Sequence, residues 1–168
     1  MAATTFLTLA LACSPLVDSG TAEALVRVES DFNPHAIGVV GGTLERQPRD
    51  RSEALATTQR LQASGWNFSV GLAQINVHNL QRLGLTVDAA FDPCANLAAM
   101  QVLLKDCFDR ASGNGDSSQH SLRRALSCYY SGNFVTGFRD GYVSRVVRAA
   151  RFASARPSAT LRPSKESS

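Results

Sequence analysis

The residue whose placement carries the most chemistry is Glu29. Ala22, Leu25 and Val26 recur at i, i+3 and i+4, and Glu29 follows at i+7, so a helix over Ser19 to Glu29 carries this carboxyl on its apolar face. Burial there penalises the charged form, raises the pKa and keeps a proton available near neutral pH. Such a group is a general acid suited to protonating the leaving oxygen of a glycosidic bond. That reaction usually recruits a second carboxylate. None pairs with Glu29: Asp31 lies on a different helix face, and Glu45, Asp50 and Glu53 follow no pattern. A single carboxyl can give its proton to the leaving sugar and then take one from a hydroxyl of the same substrate, which amounts to intramolecular transglycosylation. Taken alone, a Glu at a helix end is more often a surface or packed polar residue, so its neighbours decide.

The elements that must position it follow from periodicity and turn chemistry. Ser19 or Thr21 is placed to cap the Glu29 helix, and Pro34 stops it by disfavouring helical geometry at Asn33. From Ile37, Val39 and Val40 beside Gly41 and Gly42 predict a small β-hairpin. Ser52 to Ala63 reads as a helix closed by Gly65. Trp66, Phe68 and Val70 alternate with polar residues as an extended segment leading into Leu72 to Asn76, followed by a helix over Val77 to Leu83. Asp92 and Pro93 open a helix whose buried face is Leu97, Met100, Leu104 and Cys107 or Phe108. Ala111 to Gln119 reads as a flexible loop. Leu122, Ala125, Leu126 and Tyr129 then outline a helix ending near Gly132, and Tyr142 to Phe152 is helical as well. From Arg156 the chain is rich in Ser, Pro and Arg without apolar periodicity, which predicts disorder.

The bulk properties bound the reading. The 168 residues, 44% hydrophobic and 18% charged, suit one globular domain with a packed core. The net charge of +3 owes much to Arg148, Arg151, Arg156, Arg162 and Lys165, and no nucleic-acid reading motif or stacking cluster accompanies it. A mildly basic surface also suits an anionic cell-wall polymer. Phe6 to Ala12 is apolar but short, with no Lys or Arg before it, so it does not read as a signal peptide. Either the start lies upstream or this segment belongs to the domain. Nothing approaches the ~20 apolar residues of a membrane span.

Cys13, Cys94, Cys107 and Cys128 show no CxxC pair and no His at metal-ligand spacing, which argues against zinc. Two disulfides in an oxidising compartment, or buried free thiols, remain the alternatives. The last helical hairpin brings Cys107 and Cys128 within about a turn of each other, leaving Cys13 and Cys94 as the second pair.

Three local sequences carry a family resemblance. Glu29-Ser30-Asp31-Phe32-Asn33-Pro34 resembles the Glu-Ser-x-Phe-x-Pro signature of the lysozyme-like soluble lytic transglycosylases. Gly71-Leu72-Ala73-Gln74-Ile75-Asn76 resembles their Gly-Leu-x-Gln-Ile/Leu signature, and Ala125 to Asn133 is similar to their Ala-Tyr-Asn-x-Gly, with Tyr130 in place of the usual Asn. Three signatures in order are far more specific than one, and the likeness runs from Cys13 to Phe152. On the residues alone, Gly71 would serve a turn, Leu72 and Ile75 the core, and Gln74 backbone groups. Cys13-Ser-Pro, the Gly38 to Gln47 segment, Gly65-Trp66-Asn67-Phe68-Ser69, Phe91-Asp92-Pro93-Cys94 and Cys128-Tyr-Tyr-Ser-Gly-Asn further resemble the VirB-type transglycosylases of type IV secretion systems.

The resemblance implies a mainly α, lysozyme-like fold with a small β-hairpin element lining a glycan cleft. It implies Glu29 as the catalytic residue, Ser30, Gln74, Asn76, Tyr129, Tyr130 and Asn133 as sugar-binding residues, and a Tyr129 hydroxyl that helps position Glu29. The substrate it implies is peptidoglycan, cleaved between N-acetylmuramic acid and N-acetylglucosamine to a 1,6-anhydromuramoyl end, with no metal or organic cofactor. It further implies a periplasmic location, type IV secretion channel components as partners, and a Cys13 that belongs to the fold instead of carrying lipid. The expected organisation is an apolar segment over residues 1–12, either part of the domain or a signal remnant, a transglycosylase domain over 13–154 and a disordered tail over 155–168. Two rivals stand beside this reading: a hydrolytic muramidase using Glu45 or Asp50 as base, and a non-catalytic wall-binding assembly protein.

Overall fold

Twelve segments form regular structure in the computed structural model, which describes residues 3–112 and 117–154. In chain order they are α1 (Ala3–Cys13), α2 (Ser19–Ser30), β1 (Ile37–Val39), α3 (Arg51–Ala63), β2 (Phe68–Val70), β3 (Ile75–Asn76), α4 (Val77–Arg82), α5 (Val87–Ala90), α6 (Pro93–Ala111), α7 (Ser118–Ser131), α8 (Thr136–Arg139) and α9 (Tyr142–Ser154). The expected tail over 155–168 and residues 113–116 of the expected loop lie outside the described residues.

The helices follow the predicted stripes, with shifted caps. Asp18, not Ser19 or Thr21, caps α2 by accepting the Thr21 N–H at 2.8 Å. Asp50 caps α3 in the same way through Glu53. A carboxylate at the N-cap satisfies an orphan N–H and also meets the positive end of the helix. Asp31 ends α2 in the left-handed region at φ 48, three residues before Pro34 acts, a conformation that Asp tolerates better than most residues. The short α5 and α8 have no periodicity long enough to read from sequence.

The β element differs from the expected local hairpin. β1 does not fold back at Gly41 and Gly42; it pairs antiparallel with β2, Ile37 opposite Val70 and Val39 opposite Phe68. The hairpin is β2–β3, with Ser69 opposite Asn76 and Val70 opposite Ile75, giving a three-stranded sheet in the order β1-β2-β3. The reason lies at Gln47. Its side-chain amide accepts the Ile37 N–H at 2.8 Å and donates to the Ile37 carbonyl at 2.9 Å, taking the ladder positions a returning strand would need.

The core joins these elements around Leu25, Phe68, Leu72, Ile75, Leu97, Met100 and Tyr142, all buried. α2 packs on α9, and α6 on α7. α1 lies against α2 and α6 and buries Phe6 and Ala10 in the same core. Disulfides join Cys13 to Cys94, tying α1 to α6, and Cys107 to Cys128, tying α6 to α7. No described helix is long and apolar enough to cross a membrane.

Candidate active site

Glu29 sits in the last turn of α2. The residue as a whole is half-buried, and its carboxyl is the deeply buried part. Loss of hydration there raises its pKa to about 7, against a smaller opposing pull from a Tyr142 hydrogen bond and the nearby Arg145 charge. The Tyr142 hydroxyl donates to Glu29 Oε1 at 2.5 Å. Burial and the adjacent Glu29 push the Tyr142 and Tyr129 phenols well above their ordinary values, so both remain donors.

Tyr142 was expected only as the start of a helix. It is the side chain that holds Glu29, while the Tyr129 hydroxyl donates instead to the Ala73 carbonyl at 2.7 Å. The physical reason is which helix lies behind α2. α9 packs along it and presents the buried stripe Tyr142, Val146 and Ala149, so the first phenol of that stripe meets the carboxyl. A buried Tyr must place its hydroxyl on some acceptor, and that is the signal the sequence offered. Tyr130 stacks on Tyr142 with centroids 4.6 Å apart and rings inclined by 17°.

The turn between β2 and β3 forms the adjoining wall. Gly71 has φ +80, and a Cβ there would lie 2.2 Å from Asn96 Nδ2 and 2.9 Å from the Ala90 carbonyl, so only glycine fits. Asn96, buried in α6, clamps this turn. It accepts the Ala73 N–H at 2.8 Å and donates to the Val70 and Ala90 carbonyls at 3.0 and 2.8 Å. Ser30 adds a tie by donating to the Leu72 carbonyl at 2.7 Å. Asn96 was not legible, because a single Asn inside a helical stripe has no motif to mark it.

Glu29, Gln74, Asn76, Tyr129 and Tyr130 line one groove of about 430 Å³, with Val40 and Ser69 of the sheet side and Ser131 and Gly132 at the end of α7. Gln74, at φ 50, donates to the Ala36 and Gly71 carbonyls at 3.1 and 3.0 Å, the backbone role open to it from sequence alone. Asn76 caps α4 through the His78 N–H and donates to Asn67 Oδ1 at 2.8 Å. Ser30 and Asn133 are not among the lining residues. The Asn133 side chain is exposed and accepts the Val135 and Thr136 N–H groups at 3.0 and 2.8 Å.

Among the described residues lining this groove, Glu29 is the one carboxyl. Asp50 is occupied as the α3 cap, and Glu45 lines a separate hollow with Arg46 and Trp66. Larger hollows occur between α2, α7 and α9 and beside α3 and α4, but neither contains a tyrosine or a buried acid. The chemistry this groove supports is therefore proton donation and return by a single sheltered carboxyl.

A helical domain with a small sheet and a Glu at a helix end, its carboxyl sheltered at the wall of a groove, is a lysozyme-like arrangement. The chain belongs to the transglycosylase SLT domain family, whose profile matches residues 7–146. It is 50% identical over 151 residues to the type IV secretion system protein virB1 of Brucella abortus, a match covering 86% of this chain and 63% of that protein. It is 40% identical over 142 residues to the protein virB1 of Rhizobium radiobacter, covering 83% of this chain and 58% of that one. The virB1 of Agrobacterium fabrum is 41% identical over 142 residues. The chain thus spans less than two thirds of the length of these relatives. No solved structure gives a significant match.

Proposed function

We propose that the protein is a lytic transglycosylase that cleaves the β-1,4 link between N-acetylmuramic acid and N-acetylglucosamine in peptidoglycan. The observation that carries this reading is the lone groove carboxyl held near neutral pKa. The protonated Glu29 gives its proton to the glycosidic oxygen as the C1–O bond breaks. The resulting carboxylate then takes the proton from the muramoyl 6-hydroxyl as that oxygen bonds to C1, closing the 1,6-anhydro ring. Proton count balances over the cycle, Glu29 ends as it began, and no water is consumed. Tyr142 fixes the carboxyl, and Tyr129, Tyr130, Gln74 and Asn76 shape the sugar cleft. Ser30 and Asn133 act on the surrounding backbone.

The Brucella abortus relative is named a type IV secretion system protein, which supports a place for this cleavage beside such a system, where it would open the wall locally for the channel. Two disulfides fit the oxidising periplasm that such a role needs. Digestion of purified peptidoglycan followed by mass spectrometry tests the reaction. Anhydromuramoyl ends are expected from wild type and none from Glu29→Gln, with the variant's circular dichroism unchanged. Reducing ends carrying an added water would establish the hydrolytic rival, and glycan binding without any released fragment the non-catalytic one.

A further inference from the structure

Tyr130 is the outer ring of a two-ring stack. It lies on Tyr142 with centroids 4.6 Å apart and planes inclined by 17°, within the range of offset-stacked aromatic pairs. Tyr142 is 1% exposed and Tyr130 43%, so one ring is sealed in the core and the other covers it at the surface. The backbone beneath Tyr130 is held on both sides. Cys128, two residues before it, is bonded to Cys107 of α6. Gly132, two residues after it, ends α7 at φ 77 and donates its N–H to the Cys128 carbonyl at 2.7 Å. α8 adds close support at Gly137, whose N–H donates to Ser127 Oγ at 3.0 Å and where a Cβ would lie 2.6 Å from Ser127 Cα. The stack is therefore seated on fixed backbone.

The inner ring is the one bonded to the acid, through the Tyr142 hydroxyl and Glu29 Oε1 at 2.5 Å. Tyr130 and Glu29 line the same groove, whereas Tyr142 is not among the described residues lining it, so Tyr130 stands between the groove and the phenol that holds Glu29. The groups facing Glu29 are few. α9 presents Tyr142 and Arg145, whose guanidinium carbon is 5.8 Å from the Tyr142 centroid, and α7 presents Tyr129 and Tyr130. The rest of the described groove wall, from the sheet, α4 and α6, is uncharged. The Tyr142 hydrogen bond and the Arg145 charge both favour the ionised carboxyl, which leaves shelter from water as the main influence holding its proton.

We propose that Tyr130 is a positioning residue acting through Tyr142: its ring roofs the phenol that holds Glu29 and keeps water off their hydrogen bond. Tyr130 need touch no reacting atom to do this. An Asn, the residue usual at this place in the signature, has no flat face to cover a phenol. Hydrogen bonds are stronger where water is excluded. Loss of the cover would hydrate both partners, loosen the carboxyl and favour its charged form. Because the face of the ring does the covering, Phe should serve as well as Tyr.

The inference rests on the lytic transglycosylase reading, and two measurements separate them. The first is the pH profile of kcat/KM on soluble peptidoglycan fragments, which reports the acid of the free enzyme. Tyr130→Asn should move its alkaline limb about one pH unit towards acid, and Tyr130→Phe should leave the limb in place. A side chain that only contacted sugar would lower kcat/KM equally at every pH, so an unmoved limb in Tyr130→Asn overturns the proposal. The second measurement needs no activity. Glu29→Gln is introduced into the wild-type, Tyr130→Asn and Tyr130→Phe chains, and urea midpoints are compared at pH 8. The gain in midpoint from Glu29→Gln should fall by roughly a third to a half in the Tyr130→Asn background and keep its wild-type size with Tyr130→Phe. An equal gain in all three overturns the proposal. Tyr130→Ala takes the place of Tyr130→Asn in both measurements should the amide disturb α7. Wild-type protein that cleaves nothing, while the gain still depends on Tyr130, overturns the glycan reading and leaves the shelter of Glu29 by Tyr130 standing.

Discussion

At the scale of single residues, Glu29 is held in the form that its chemistry needs at a cost to stability. Its pKa is about 7 in the folded protein against an ordinary 4.5. Below pH 4.5 both folded and unfolded chains carry the proton. Between pH 4.5 and 7 the unfolded chain releases it while the folded one retains it, so this group makes stability fall as pH rises. The difference corresponds to about 3 kcal/mol above pH 7. Glu29→Gln, which keeps an acceptor for Tyr142 but no charge, is therefore expected to be more stable than wild type at pH 8 by up to that amount. At pH 4 the advantage should vanish. Urea titrations at the two pH values check this, and an equal effect at both would contradict the burial of the carboxyl.

At the scale of elements, the turn between β2 and β3 depends on one side chain from α6. Asn96 satisfies three backbone groups of that region, and its truncation leaves buried polar atoms without partners. Asn96→Ala is expected to cost about 3 kcal/mol, measured by the shift in denaturant midpoint. Cleavage should fall with it, because Gln74 loses its support. What the sequence revealed divides along the same line. Helices with long apolar stripes, such as α6 and α7, and the Gly71 turn were legible because spacing within one segment encodes them. The partner of β1, the Tyr142 contact to Glu29 and the Asn96 clamp were not, since each depends on which distant segment arrives alongside. Gln47 illustrates the point: a polar residue in an unremarkable stretch redirected β1 away from the local pairing that its glycines suggested.

At the scale of the whole molecule, the two disulfides brace the helical layer behind the groove. Cys13–Cys94 closes 81 residues and Cys107–Cys128 closes 21. In the chain-entropy account these loops correspond to about 4–5 and about 3 kcal/mol respectively. Replacing Cys13 and Cys94 by Ser should therefore lower the denaturant midpoint more than replacing Cys107 and Cys128. The opposite order would show that local strain or residual structure outweighs loop length.

The place of Glu29 in the final turn of α2 has a consequence that no side chain supplies. Peptide dipoles aligned along a helix leave partial negative charge at its carboxyl end, so the backbone itself repels an ionised group there. Proton retention is thereby written partly into main-chain direction. Because burial is the larger cause and the dipole supplies about 1 kcal/mol, a substitution that wets the carboxyl would remove most of its preference for the neutral form and leave only this main-chain share.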